Sequence, residues 1–389
     1  MTIELSRRDL ARATLGLAAA TVLPHKSFAQ APARPYQGPN VIIIRYGGGV
    51  RRRETIDPQY SYSPYLAKNL LPLGTLYPLM RIEGREGIIT SHAQGTLNIL
   101  TGRYDRYENI SRRLGQESFE AKAPTLFEYL RATYDVPAHQ TLIVNGENRP
   151  DEDILVYSTD PHYGIRYHSS VISLTQFKAH LLRKRLAGDA LQGKDRTTAQ
   201  LQLRTLESSD LDREIVRPSP PLETFWESWR RDYGDSGLIN ARGDRLLTAL
   251  SLRAMKELKP KLMLVNYQDP DYVHWGNASH YTRAIAIIDD GIRQIIEAAA
   301  IDPHYRDNTV FIVTPDCGRD DNPLMPIPYQ HHFNSRAAHE VWAFAFGRGV
   351  TRGAVVDKVV EQTAIARTVG QIMRFDTKSA EAPALEEML

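Results

Sequence analysis

The sequence predicts an α/β protein, a three-layer α/β/α sandwich around a mostly parallel sheet, and three observations predict it. Short runs rich in Val and Ile recur along the chain, helical patterns separate them, and acidic and imidazole side chains follow directly on several of the runs. Continuous apolar runs of this length suit strands covered on both faces. Their alternation with helices argues for helical layers on both sides of one sheet. Carboxylates and imidazoles at strand ends are what a divalent-metal site at the edge of such a sheet requires.

The elements follow in order. Ser6-Arg7-Arg8-Asp9-Leu10 precedes a weakly apolar run at 13–23, then Pro24, Lys26 and the small-residue sites Ser27-Phe28-Ala29 and Ala29-Gln30-Ala31. That run is shorter than the roughly 18 apolar residues of a membrane span, and its basic flank and small-residue exit read as a signal peptide over residues 1–31. The paired arginines resemble a bacterial twin-arginine signal. The resemblance implies the twin-arginine export machinery as a partner, a periplasmic or secreted destination, and a chain exported folded, as suits a protein loaded with metal beforehand. Residues 32–389 then read as one domain. Runs at 40–46, 87–91, 141–145, 261–267, 309–314 and 342–346 are the expected strands.

Helical patterns lie at 123–134, 246–258 and 281–299, the last a stripe of Ile285, Ile288, Ile292, Ile295, Ile296 and Ala299 with Ser279 as its expected cap. Residues 147–235 break the alternation. They are polar and uneven, with an amphipathic helix at 174–186 and a Pro-rich turn at 217–221, and are expected to be a helical or irregular insertion. Residues 375–389 are expected to be a weakly ordered tail.

Composition excludes several function classes. The 48 Lys and Arg face 46 Asp and Glu, and without residues 1–31 the numbers become equal. No electrostatic case for nucleic acid survives that balance, and no membrane span is expected in the mature chain. Cys317, the one cysteine, cannot form an intrachain disulfide.

The chemistry-bearing residues come in series. Asp269, Asp271 and His274 follow the run at 261–267, Asp316 and Cys317 follow the run at 309–314, and His331, His332 and His339 precede the last run. Neutral imidazole and carboxylate suit zinc, and thiolate is also a good zinc ligand. Gly47-Gly48-Gly49 followed by Arg51 offers backbone N–H groups and a guanidinium that would cradle an anion. Asn98-Ile-Leu-Thr-Gly-Arg103 follows Ser91 and His92 in the chain.

In this order the motifs resemble the alkaline phosphatase superfamily of phosphatases, nucleotide pyrophosphatases, sulfatases and phosphomutases, from about residue 40 to 349. The resemblance implies one metal site built from Asp269 or Asp271, His274, and His339 or His332. It implies a second from Asp316 and Cys317, with Gly47 standing where a first Asp belongs and Cys317 where a His does. Counting back from Leu100-Thr101-Gly102 puts His92 at the nucleophile position, with Ser91 one residue before it. The implied activity is metal-dependent hydrolysis of a phosphate or sulfate ester on a small-molecule substrate, with one or two divalent ions, zinc by donor type. The alternative is a catalytically degenerate member that keeps the sheet and serves a binding or scaffold role. A third reading, a redox or copper site, has only ligand softness behind it.

Overall fold

The computed structural model describes residues 34–84, 89–105, 108–109, 119–146, 163–189, 191–207, 218–235, 243–274, 277–321, 324, 330–331, 333 and 335–389; the expected signal segment 1–31 lies outside them. Residues 34–389 hold together as one unit. Nine strands form its sheet: β1 (Asn40–Tyr46), β2 (Gly74–Arg81), β3 (Thr141–Asn145), β4 (Ser170–Ile172), β5 (Leu262–Asn266), β6 (Thr309–Pro315), β7 (Glu340–Gly347), β8 (Ala354–Val355) and β9 (Val360–Glu361). Their order is β8–β2–β7–β6–β1–β5–β3–β4, with β9 also paired to β2. Pairing is parallel except at β7, which runs antiparallel to both β6 and β2. Among the described residues the helices are α1 (His92–Thr101), α2 (Leu126–Thr133), α3 (Leu174–Ala187), α4 (Gly193–Glu207), α5 (Pro220–Tyr233), α6 (Asp244–Leu258), α7 (Ala278–Ile301) and α8 (Ala364–Met373), with shorter turns between them. No helix of the described residues is long and apolar enough to cross a membrane.

The strand period of two sorts β1 into two cores. Val41 and Ile43 pack with Leu97, Phe127 and Val369 of α1, α2 and α8. Ile42, Ile44 and Tyr46 pack with Phe177, Trp226, Leu250 and Ile288 of α3, α5, α6 and α7. Because successive side chains point to opposite faces, both layers are held by one run of buried residues. Each fully buried Val or Ile there contributes about 1.5–3 kcal/mol.

Helix ends follow their caps. The Ser91 hydroxyl accepts from Gln94 N at 3.3 Å at the start of α1, and Gly102 ends it with φ 71°. Thr125 and Glu128 form a capping box on α2. At α7 the cap is Asn277, whose side chain accepts from Ser279 N at 3.0 Å, so Ser279 lies inside the helix rather than capping it.

Two expectations are corrected, the strand at 87–91 and the loose tail. Thr90 and Ser91 of the run at 87–91 lead into α1, and the edge region is supplied instead by β2, whose Pro78 disguises it. The β2/β7 register shifts between Tyr77 and Met80, which accommodates that proline. The described part of the insertion adds strand β4 to the sheet and contributes α3 and α5 to one core, so it builds the far end of the sandwich. The tail is packed, with Leu385 and Met388 buried and Arg367 Nε donating to Ala382 O at 2.9 Å. Its small residues, Ala380, Ala382 and Ala384, fit close against helices without showing an apolar pattern.

Candidate metal centre

β1 lies between β5 and β6 in parallel register, with Arg45 opposite Asn266 and Thr314, and Tyr46 opposite Pro315. The chain therefore leaves all three strands at one level, where ligands bind in open α/β sheets. Gly47 to Gly49 follow β1, a six-residue 3₁₀ turn (Asp269–His274) follows β5, and Asp316 to Arg319 follow β6. Helix α1 closes over this edge because Gly95 has no side chain: a Cβ there would meet Asp316 O at 2.2 Å. That contact delivers His92, the first residue of α1, into the site.

One oxygen organises the centre. Asp271 Oδ1 is faced by Nε2 of His274 at 2.8 Å, of His92 at 2.9 Å and of His331 at 3.3 Å. The second ring nitrogen of His92 lies 2.6 Å from Asp316 Oδ2. Asp316 also accepts from Cys317 N at 2.7 Å and from Gly49 N and Gly48 N at 3.2 Å each, and Arg45 Nη1 stands 3.8 Å away. All of these side chains are buried.

Electrostatics follow from this packing. Burial is the largest influence on His92 and opposes its charged form, but Asp316 and Asp271 together outweigh it and raise its pKa well above the ordinary value. For Asp271, burial is likewise outweighed by His92, His274 and His331, which hold the carboxyl below the usual range. Asp316 is held low against burial by His92 and Arg45. Burial, then the Asp316 charge, pushes the Cys317 thiol well up.

The donor set fits a cation. His331 Nδ1 is 2.7 Å from Thr90 O, a carbonyl that only accepts, so this nitrogen carries the hydrogen. In the neutral ring Nε2 then offers a lone pair on the side of Asp271 Oδ1, where a cation would be shared by the two acceptors. Among the described residues two groups bring donor atoms within 4.8 Å of one another: Asp271, His274 and His331, and His92, Cys317 and His331.

The remaining sequence candidates are placed elsewhere. Asp269 Oδ2 accepts from Asp244 N at 3.0 Å at the start of α6, while Asp269 N donates to Asp244 Oδ2 at 2.8 Å. A 3₁₀ turn puts residues three apart on one side, so Asp271 meets His274 and Asp269 points to α6. His339 directs Nδ1 to Ile82 O at 2.9 Å, and the place foreseen for it is taken by His331. His332 lies outside the described residues. The Ser91 hydroxyl caps α1. The cradle at Gly48 holds an anion of the chain itself, the Asp316 carboxylate, and Arg51 is paired with Glu54 at 2.5 Å and Asp321 at 3.3 Å.

Gly47, where the resemblance expects an acid, has no room for one: a Cβ would lie 2.0 Å from Tyr267 O and 2.8 Å from Arg45 Nη2. Sequence reasoning passed over Arg45, a lone charge in an apolar run, and Arg319. Arg319 donates to Gly49 O at 2.8 Å, Gly48 O at 2.6 Å and Pro270 O at 2.7 Å, with its guanidinium 4.7 Å from the Tyr281 ring centre. It staples the loops after β1 and β5 together.

No family model and no curated protein matches the chain. Solved structures do match. A variant of alkaline phosphatase PafA is 13% identical with a TM-score of 0.55, covering 91% of this chain and 99% of that one. The wild-type form of alkaline phosphatase PafA gives 12%, 0.52, 90% and 99% for the same quantities. Ps i-CgsB in complex with k-i-k-neocarrahexaose is 11% identical with a TM-score of 0.52, over 90% of this chain and 75% of that one. With its mixed sheet, its helices on both faces and its site at the carboxyl ends of the central strands, the chain has the fold of the alkaline phosphatase superfamily.

Proposed function

We propose that this chain is a metal-dependent hydrolase acting on a phosphate or sulfate ester of a small molecule. The observation that carries the reading is the convergence of three imidazole nitrogens on Asp271 Oδ1 within 3.3 Å, at the carboxyl ends of the central strands. Its fold likeness to alkaline phosphatase PafA supports the same class of chemistry. Asp271, His274 and His331 would hold the ion, with zinc favoured by a donor set of carboxylate and imidazoles. A metal bound there supplies polarisation of the ester oxygen and charge stabilisation at the leaving group.

The residues around it have separate tasks. Asp316 fixes one ring nitrogen of His92 and aims Nε2 at the Asp271 side, so His92 is the group positioned to hold or pass a proton there. Gly48, Gly49 and Cys317 N–H groups keep Asp316 in place. Arg319 fixes the two loops that carry Gly48 and Pro270, and burial keeps competing water from the carboxylates.

The test is to purify the full chain, reload it with zinc, and assay aryl phosphate, phosphodiester and sulfate esters beside His274→Ala. Turnover lost in the variant is the expected result; turnover that His274→Ala leaves unchanged would sink the proposal. A second reading, a binding protein with the sheet and one ion but no chemistry, is favoured by Gly47 and by the commitment of the Ser91 hydroxyl to its helix. Stoichiometric zinc without turnover on any of the three esters would select it. Export as a folded protein by the twin-arginine machinery is proposed from residues 6–10 alone, and fractionation of cells carrying Arg7→Lys with Arg8→Lys checks it: cytoplasmic retention is expected.

A further inference from the structure

The two donor groups of the centre share a residue. Asp271, His274 and His331 form one, with oxygen and nitrogen donors; His92, Cys317 and His331 form the other, with sulfur and nitrogen donors. His331 has one lone pair to give, because its Nδ1 hydrogen is committed to Thr90 O at 2.7 Å. A single imidazole nitrogen of this kind ligates one ion at a time.

The sulfur-bearing group is also closely packed. Gly49 lies beside it, and a Cβ on Gly49 would stand 3.1 Å from Cys317 Sγ and 3.3 Å from His331 Cδ2. A side chain there would press on both the thiol and the imidazole, so glycine lets the two come close. The Gly49 loop is kept in that position by Arg319 on Gly49 O, and the segment just after His331 by Asp320, which accepts from Phe333 N at 2.9 Å and Ser335 N at 3.1 Å.

We propose that these are two overlapping seats for one ion, hinged on His331, and that a thiophilic ion takes the seat made by His92, Cys317 and His331. The inference rests on the metal-binding half of the proposed function and not on its hydrolytic half. Softness decides the seat: thiolate and imidazole select cadmium, zinc or cuprous copper, whereas carboxylate favours harder ions such as manganese. Ligation by Cys317 releases its thiol proton to solvent, so uptake in that seat is accompanied by proton release. An ion seated there also engages His92, which removes the ring from any proton-carrying task beside Asp271.

The experiment titrates the chelator-treated full chain with manganese chloride and cadmium chloride, separately and together. Bound metal is counted by elemental analysis after desalting, and thiolate-to-cadmium charge transfer is read in the ultraviolet. One equivalent of either ion is expected, with the charge-transfer band for cadmium and release of one manganese for each cadmium bound. Cys317→Ser should lose the band and keep the manganese, and His331→Ala should lose both ions. Two ions bound at once in the wild type, cadmium bound without the band, retention of either ion by His331→Ala, or no binding at all would each overturn the proposal. If Cys317→Ser fails to fold, displacement of manganese in the wild type still decides it. One exchangeable ion without ester turnover would overturn the hydrolase reading and leave this one standing; turnover with two ions bound would do the reverse.

Discussion

Two histidines of this molecule carry the same local signature in very different settings. His92 sits between Asp271 at 2.9 Å and Asp316 at 2.6 Å, and His180 of α3 sits between Glu223 at 2.9 Å and Glu227 at 3.1 Å on α5. Both rings are buried. What differs is the carboxylates: side-chain exposure is 8% and 0% around His92, against 38% and 45% around His180. Water screens the second set and leaves it an ordinary helix-to-helix contact. At the sheet edge the described charges meet one another and the backbone, so their arrangement becomes expensive to disturb. Of the two, the histidine flanked by dry acids is the candidate site.

The most severe way to break this contrast is Asp316→Asn. It takes from His92 one of its two carboxylates and from Arg45 the carboxylate beside it, and a loss of about 3–5 kcal/mol in urea unfolding is expected, as for other broken buried pairs. A loss under about 1 kcal/mol would place the two histidines in one class.

Arg319→Met tests the staple between the loops after β1 and β5, where the guanidinium donates to the carbonyls of Gly49, Gly48 and Pro270. Leaving those carbonyls unpaired should cost on the order of 3 kcal/mol, read from the denaturation midpoint, and should weaken manganese binding in parallel.

Asp289 of α7 sharpens the comparison from the other side, as a carboxylate buried without an imidazole. It accepts from Tyr65 N at 2.8 Å and Leu66 N at 2.9 Å, yet burial outweighs those bonds and pushes its carboxyl up to about 6. A folded pKa above the unfolded one means that ionisation works against the fold at neutral pH. Its contribution to stability is fully regained only well below about pH 4 and declines as pH rises through about 6. Between pH 7 and pH 5 that share should rise by on the order of 1 kcal/mol. Comparison of thermal unfolding of wild type and Asp289→Asn over this range checks it; a wild-type slope identical to the variant's would count against it.

The smallest effect is expected at the wet histidine. Glu227→Gln removes an exposed partner of His180 and of Lys184, and its cost should stay under about 0.5–1 kcal/mol.

How much of this was legible in the sequence depended on how a residue announces itself. β1, β5, β6 and β7 were readable because strands buried on both faces leave unbroken apolar runs. β2 was hidden by Pro78, and the packed tail by alanines whose burial gives no periodic signal. At the centre, Asp271, His274, Asp316, Cys317 and His92 stood out because each follows a strand or opens a helix, and the fold brings them together. The choice of Asp271 over Asp269 needed the 3₁₀ geometry of that turn. The choice of His331 needed Asp320, a tertiary anchor with no local signature. Arg45 was overlooked because a charge inside an apolar run looks like noise until its partner, Asp316, arrives from a strand 270 residues later in rough terms of chain length.

The tight seat of Gly47 against Tyr267 O also bears on how this chain can change over time. Replacing Gly47 by aspartate in one step would force apart the segments after β1 and β5, which Arg319 also ties together. An acid at that position is thus blocked by backbone rather than by chemistry. The acids that meet at this sheet edge therefore come from the loops after β5 and β6, as Asp271 and Asp316 do.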